Sequence, residues 1–158
     1  MATSRQAVVA ESILTIIRTV KVAAQPALTT SEEYFNQAGV VWMGKNFRAQ
    51  FLGLEVPAVD EAELTVWKLE QPSLDDSIIA ELGGKDKAEI SVSQFCAFLG
   101  DRGDRESPER FIFYLKGKDG NLLTVRAYWI VGRVGCRAGA YSINSQGGWC
   151  EGDQVLSR

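Results

Sequence analysis

The stretch "FIFYLKGKDGNLLTVRAYW", residues 111–129, constrains this chain's fold more than any other. Two alternating apolar runs flank Asp119-Gly120, a dipeptide that readily takes the positive φ angles of a tight hairpin turn. A two-residue turn there pairs Lys118 with Asn121, and hence Tyr114 with Val125 and Ile112 with Ala127. Phe113 with Arg126 and Phe111 with Tyr128 then face the other way. Both faces of such a ribbon carry apolar groups, so a helix layer must cover at least one of them and partly cover the other.

The segments around the hairpin supply that layer and the remaining strands. Residues 4–24 read as an amphipathic helix: Thr3 and Gln6 have capping-box spacing, Val9, Ile13, Ile16 and Val20 form a stripe, and Pro26 enforces a stop. Such a helix packs on its own domain or serves as a self-association surface. Thr30 and Glu33 open a second helix over 31–38, ended by Gly39, and Phe47 and Phe51 mark a third over 45–52. "VVWMG" reads as a strand or a buried loop. Residues 62–70 alternate as a strand, with a helix as the runner-up. Residues 77–82 and 87–91 read as two short strands joined at Gly83-Gly84. Ser91 and Gln94 cap a helix over 92–100, the polar stretch 101–109 is a loop, and "CRAGAYSIN" and "QVLSR" supply the last strands. The expected fold is α+β: an antiparallel sheet of five or six strands with N-terminal and central helices packed on one face. All 158 residues are read as one domain, with 1–25 as a possible appendage.

Composition closes several chemistries. The chain has no histidine, so there is no Ser-His or Cys-His nucleophile pair, imidazole base or His-ligated metal. Its three cysteines, Cys96, Cys136 and Cys150, form no C-x-x-C pair, which argues against a zinc site or disulfide framework and favours a cytoplasmic protein. A Cys136–Cys150 disulfide stays open. The formal net charge is −3, so a polyanion partner would need a local basic patch. No apolar run reaches the length of a membrane span. Neither G-x-x-x-x-G-K-[ST] nor G-x-G-x-x-G occurs, and no cofactor is expected.

The order "ELGGKDKAEISVSQFCAFL", "FIFYLKGKDGNLLTVRAYW", "AGAYSI" and "GWCEGDQVLSR" resembles a group of short uncharacterised bacterial proteins from candidate-phylum genomes, over roughly residues 40–158. They share an E-L-G-G turn, an aromatic hairpin and a W-x-x-G-x-x-V-x-S-R ending, and "NFRAQFLGLEVPA" is similar to their middle segment. The resemblance implies a bacterial, intracellular protein and no particular activity. This chain departs from the group in having Cys136 where a Trp precedes the A-x-S-[VI] strand.

Few constellations carry chemistry. Arg102-Gly103-Asp104 is a three-residue match to an integrin tripeptide. Asp101, Asp104 and Glu106 lack the full calcium-loop spacing, and Arg102 and Arg105 would neutralise them. Asp75 and Asp76 are the clustered carboxylates nearest to acid/base work, although, preceding an apolar run, they read as a turn. Lys85, Lys87, Lys116 and Lys118 with Arg126, Arg133 and Arg137, interleaved with Tyr128, Trp129 and Tyr141, could form a basic aromatic surface. In "GGWCEGDQVLSR", Gly147-Gly148 reads as a turn, Trp149 as a cap over the sheet's end and Gly152-Asp153 as the bend into a closing strand. The expected function is a non-catalytic interaction or ligand-binding module taking a protein or small molecule through Arg126, Tyr128, Tyr141, Trp149 and Asp153. No catalytic or metal-binding residue is assigned, and nucleic acid is not the expected partner. The alternatives are a small carboxylate- or Cys-dependent enzyme, drawing on Asp75, Asp76, Cys150 and Asp153, and a regulatory or single-stranded nucleic-acid partner.

Overall fold

A computed structural model describes residues 12–102, 109–129 and 135–158. The strands are β1 (Leu14–Val22), β2 (Leu28–Thr29), β3 (Val40–Met43), β4 (Glu55–Val56), β5 (Ala62–Leu69), β6 (Arg110–Lys116), β7 (Leu122–Trp129), β8 (Cys136–Ser142) and β9 (Gln154–Ser157). The helices are α1 (Glu32–Gln37), α2 (Lys45–Phe51), α3 (Asp75–Leu82), α4 (Lys85–Ala88) and α5 (Val92–Arg102). Seven strands form one sheet in the order β1-β5-β9-β6-β7-β8-β3, and β2 pairs with β4 apart from it.

The α+β class holds, but the expected antiparallel sheet of five or six strands does not. The sheet has seven strands and is mixed, because β9 runs parallel to β6 and β3 parallel to β8. The cause at β9 is its composition. "QVLS" is buried at every position, and a strand buried on both faces belongs in the middle of a sheet, not at its edge. It inserts between β5 and β6, with Trp67↔Val155 on one side and Ile112↔Val155 on the other.

The helix expected over 4–24 is a strand where it is described. Residues 13–22 hold seven β-branched side chains, Ile13, Thr15, Ile16, Ile17, Thr19, Val20 and Val22, which are stiff against a helical turn and fit a pleated surface. β1 pairs antiparallel with β5, Leu14↔Leu69 through Val22↔Ala62, with a bulge between Ile16 and Arg18. A helix-borne self-association surface over these residues is therefore lost, and residues 1–11 lie outside the described part. The same pairing settles 62–70 as a strand.

The strand expected at 77–82 is helical instead, and of 87–91 only Lys87 and Ala88 are helical, while Glu89 makes an isolated parallel bridge to Tyr114. Asp75 and Asp76 occupy the first turn of α3, where the positive end of the helix dipole favours them. Gly83 takes φ +107 and ends the helix; its N–H donates to Ala80 O and that of Gly84 to Ile79 O. Gly83-Gly84 is thus a helix C-cap of the Schellman kind and not a hairpin turn. The expected helices 31–38, 45–52 and 92–100 are present as α1, α2 and α5. Ser91 and Gln94 cap α5 as read, with Ser91 N donating to Gln94 Oε1 at 2.9 Å. At α1 the cap is Ser31, whose Oγ accepts from Tyr34 N at 3.1 Å. Thr30 is buried instead, donating to Phe51 O and accepting from Leu54 N.

The helices lie on both faces, not one. Phe35 of α1, Phe47 and Phe51 of α2, and Phe95 and Phe98 of α5 pack against Phe111, Phe113, Leu115, Val125 and Ala127. Edge-on aromatic contacts run through this layer, Phe95–Phe113 at 4.7 Å and Phe98–Phe111 at 5.2 Å between centroids. Across the sheet, Ile78, Ile79 and Leu82 of α3 and Ala88 of α4 cover Leu69, Ile112, Tyr114 and Val155.

The hairpin forms, one residue out of the expected register. Lys116 pairs with Leu122, and Tyr114 with Thr124, Ile112 with Arg126 and Arg110 with Tyr128. Gly117 N donates to Asn121 O, leaving Lys118, Asp119 and Gly120 as a three-residue loop with Gly120 at φ +83. The slip moves Arg126 and Tyr128 off the phenylalanine face and onto the face of Ile112 and Tyr114. No described helix is long and apolar enough to cross a membrane.

Candidate functional site

The corrected register decides which side chains share the second face. On β7 these are Leu122, Thr124, Arg126 and Tyr128, opposite Lys116, Tyr114, Ile112 and Arg110 of β6. On β8 they are Tyr141, Gly139 and Arg137, opposite Thr124, Arg126 and Tyr128. Trp42 of β3 pairs with Arg137. One row across the strands therefore reads Trp42, Arg137, Tyr128, Arg110, and ends beside Asp153 at the start of β9.

Three arginines surround Tyr128 in this arrangement. Arg110 and Arg137 are its direct cross-strand neighbours, about 5 Å away at Cβ. Arg126 stands two residues back on the same strand, its guanidinium carbon 4.6 Å from the Tyr128 ring centroid. Arg137 lies in the same way 4.7 Å over the Trp42 ring, so both cations rest on aromatic faces. Arg110 alone has a carboxylate: its Nε stands 2.9 Å from Asp153 Oδ1, an ion pair whose angle falls short of a hydrogen bond. Among the described residues Arg126 and Arg137 have no ion-pair partner, and the buried Nε of Arg126 makes no hydrogen bond. Trp42 is 47% exposed at the sheet edge. The apolar cluster under α3 and α4 includes none of this row.

The five residues expected to form one site fall into two groups. Arg126 and Tyr128 belong to the row just described. Asp153 supports it from below: buried, it accepts from Cys150 N at 3.1 Å through Oδ2 and holds Arg110 through Oδ1. Trp149 and Tyr141 belong to a buried anchor around Asp75, their rings 5.9 Å apart. Asp75, 1% exposed, accepts from Tyr114 Oη at 2.9 Å, Trp149 Nε1 at 2.6 Å and Asn144 N at 2.7 Å. Burial and the adjacent Asp75 push the Tyr114 hydroxyl well above its ordinary pKa, which keeps it a donor. Asn144 adopts φ +65 and clasps the neighbouring residue, accepting from Asp76 N and donating to Asp76 Oδ2. Ser73 and Trp149 exchange backbone hydrogen bonds. Asp75 thus locks the start of α3 to the 144–149 turn, and its two oxygens are committed.

Arg110 and Trp42 escaped the sequence reading, while Arg137 entered only a broader basic set. The signal for Arg110 was the hairpin register: a three-residue loop places it opposite Tyr128. Trp42 needed the parallel pairing of β3, which no local pattern reveals. Of the wider basic set, Arg133 lies outside the described residues, and Trp129 faces the other side, its ring 5.9 Å from that of Phe111. The integrin tripeptide and the candidate calcium carboxylates Asp104 and Glu106 also fall outside, apart from the helical backbone of Arg102, while Asp101 is exposed near the end of α5.

Other features offer less chemistry. Cys96 and Cys136 are buried, Cys150 is exposed and no disulfide links them. Burial pushes the Cys96 thiol up to about 12, away from reactive thiolate. Among the described residues no group of three or more Cys, Asp or Glu gathers to hold a metal ion. A cavity of about 420 Å³ is lined by Leu54, Val56, Pro57, Ile90, Lys116 and Arg158. Its two cations are engaged, Arg158 Nε with Glu89 O and Lys116 with Glu89. A cavity of about 190 Å³ takes Tyr141 with Asn46, Gln50 and Leu123, and none of the other four expected site residues lines it. Comparison with protein families, curated proteins and solved structures finds no match, so the functional reading rests on the geometry of the arginine row.

Proposed function

We propose that this chain is a non-catalytic, cytoplasmic binding module that takes an anionic small molecule on the sheet's second face, over Tyr128. One observation carries the reading: Arg126 lies on the Tyr128 ring, Arg110 and Arg137 flank it on the neighbouring strands, and among the described residues Asp153 is the one carboxylate that pairs with any of the three. Guanidiniums stacked on rings keep their N–H edges for an oxyanion. Setting them side by side costs electrostatic energy, which a bound anion would recover. The non-catalytic part of the reading has its own support. Asp153 is turned to Arg110 and Cys150, and Asp75 to its three donors, so neither carboxylate is presented to a ligand as an acid or base. The cytoplasmic part rests on three cysteines with no disulfide among them.

Titration of the full chain with benzoate, phenylsulfonate and phenyl phosphate, followed by two-dimensional NMR, tests the proposal. The expected shifts cluster on Trp42, Arg126, Tyr128 and Arg137, and weaken as salt rises. A chain that shows no saturable shift with any of the three anions defeats it.

A further inference from the structure

We infer that the ligand group seated over Tyr128 is a phosphomonoester of a small molecule; this deepens the anion-binding reading and rests on it. The argument is charge matching. Among the described residues, three guanidiniums against one carboxylate leave two positive charges along this row, Arg126 on the Tyr128 ring and Arg137 on the Trp42 ring. A carboxylate or sulfonate would neutralise one of them and leave the other facing it. A phosphomonoester carries about −1.5 to −2 at neutral pH and three acceptor oxygens, which match both. The spacing suits a single compact group. Arg110 and Arg137 rise from the strands on either side of Tyr128, about 5 Å from it at Cβ, and Arg126 is the diagonal neighbour of both. Arg126 lies over the Tyr128 ring, Arg137 rises between Tyr128 and Trp42, and the Tyr128 hydroxyl adds a donor.

The source of the phosphate follows from the surroundings. The whole chain is acidic, with a net charge of −3, so a nucleic-acid strand leaving this patch would meet repulsion. The ring faces of Tyr128 and Trp42 already carry guanidiniums, which removes the stacking platforms that successive bases require. Glu109, the other carboxylate at the start of β6, accepts from Gln154 on the opposite face of the sheet. The exposed indole of Trp42 offers an apolar edge where the organic part of a small phosphate ester can rest.

The absence of histidine makes this testable by pH alone. Between pH 5 and 7.5 no imidazole titrates on the protein, and among the described residues the charged and titratable groups of this row are Arg110, Arg126, Arg137, Asp153 and Tyr128. The phosphomonoester itself loses its second proton at about pH 6. Phenyl phosphate is therefore expected to bind more tightly at pH 7.5 than at pH 5, by up to about tenfold, while benzoate and phenylsulfonate hold constant. At pH 7.5 it should also exceed both controls by tenfold or more. Arg126→Gln and Arg137→Gln should each weaken it at least tenfold, with Arg48→Gln, on a distant surface, without effect. Should Arg126→Gln fail to fold, Arg137→Gln and the pH profile decide. Equal, pH-independent binding of all three anions would overturn the phosphate assignment and leave the anion-binding reading standing. No binding of any would overturn both. A single-stranded oligonucleotide that competes below the concentration of phenyl phosphate would overturn the small-molecule source.

Discussion

The residue on which most of the second face depends is Asp75, a buried carboxylate with three donors converging on it from two other segments. Each bond joins parts far apart in sequence: α3, β6, and the turn between β8 and β9. Replacing it by Ala strands the Tyr114 hydroxyl, the Trp149 indole N–H and the Asn144 amide. An abandoned buried donor costs about 1–3 kcal/mol, so Asp75→Ala should destabilise the chain by about 3 kcal/mol or more, read from the urea midpoint at constant slope. Tyr114→Phe removes one donor and leaves the carboxylate two others. Its cost should be about 1–1.5 kcal/mol, in the range of a single net hydrogen bond. Equal costs for the two variants would show that Asp75 does not tie the segments together. The sequence presented Asp75 only as one of two adjacent acids before an apolar run. Its burial depends on a tyrosine 39 residues away and a tryptophan 74 residues away, and no local pattern carries that information.

At the scale of elements, the sheet edges are where pairing is most easily lost. β3 is a four-residue edge strand held parallel to β8, and its approach depends on Gly135 just before β8. Gly135 takes φ +84, and an added Cβ would stand 2.8 Å from Gly39 O and closer still to the Val41 side chain. Cys136 N donates to that same Gly39 carbonyl at 2.7 Å. Gly135→Ala should therefore cost about 2 kcal/mol from backbone strain and the clash together. It should also release amide exchange protection over 40–43 before the rest of the sheet; uniform protection would mean that the contact yields without unpairing the strand. The opposite edge, β1, exposes Ile16 and Ile17 but carries Arg18, Lys21 and a bulge, devices that discourage edge-to-edge pairing. How much of this was legible depends on whether the signal was local. The hairpin, α1, α2 and α5 announce themselves through caps, turn residues and periodicity. β1 and α3 were misread because an apolar stripe and a Gly-Gly pair each fit two elements, and tertiary pairing chose between them. The candidate site was half legible: Arg126 and Tyr128 were in hand, but a one-residue error in loop length placed them on the wrong face.

For the whole molecule, the buried ionisable groups predict how stability responds to alkali. Tyr114 in the unfolded chain loses its proton near its ordinary value of 10, whereas in the fold burial and Asp75 hold the proton well beyond that. Cys96 behaves alike, from an ordinary 9 up to about 12, chiefly because of burial. Above these ordinary values the unfolded state binds fewer protons than the folded one, so unfolding becomes easier as pH rises. The loss should begin near pH 9 with Cys96 and steepen past pH 10 with Tyr114. Each group contributes a slope of up to about 1.4 kcal/mol per pH unit while the two states differ by a full proton. Below pH 9 neither effect operates, and with no histidine in the chain no imidazole titrates, so stability should be level between about pH 6 and 8. Urea midpoints taken from pH 6 to 11 should trace a plateau followed by a two-stage decline. Tyr114→Phe separates the stages. It is less stable than the parent at neutral pH, because a hydrogen bond is gone. Yet it is spared Tyr114's share of the alkaline loss, while that of Tyr34, also raised chiefly by burial, remains, so the two curves should converge above pH 10. A parent whose midpoint stays level to pH 11, or a variant that declines in parallel with it, would mean that Tyr114 is solvated enough to ionise in place.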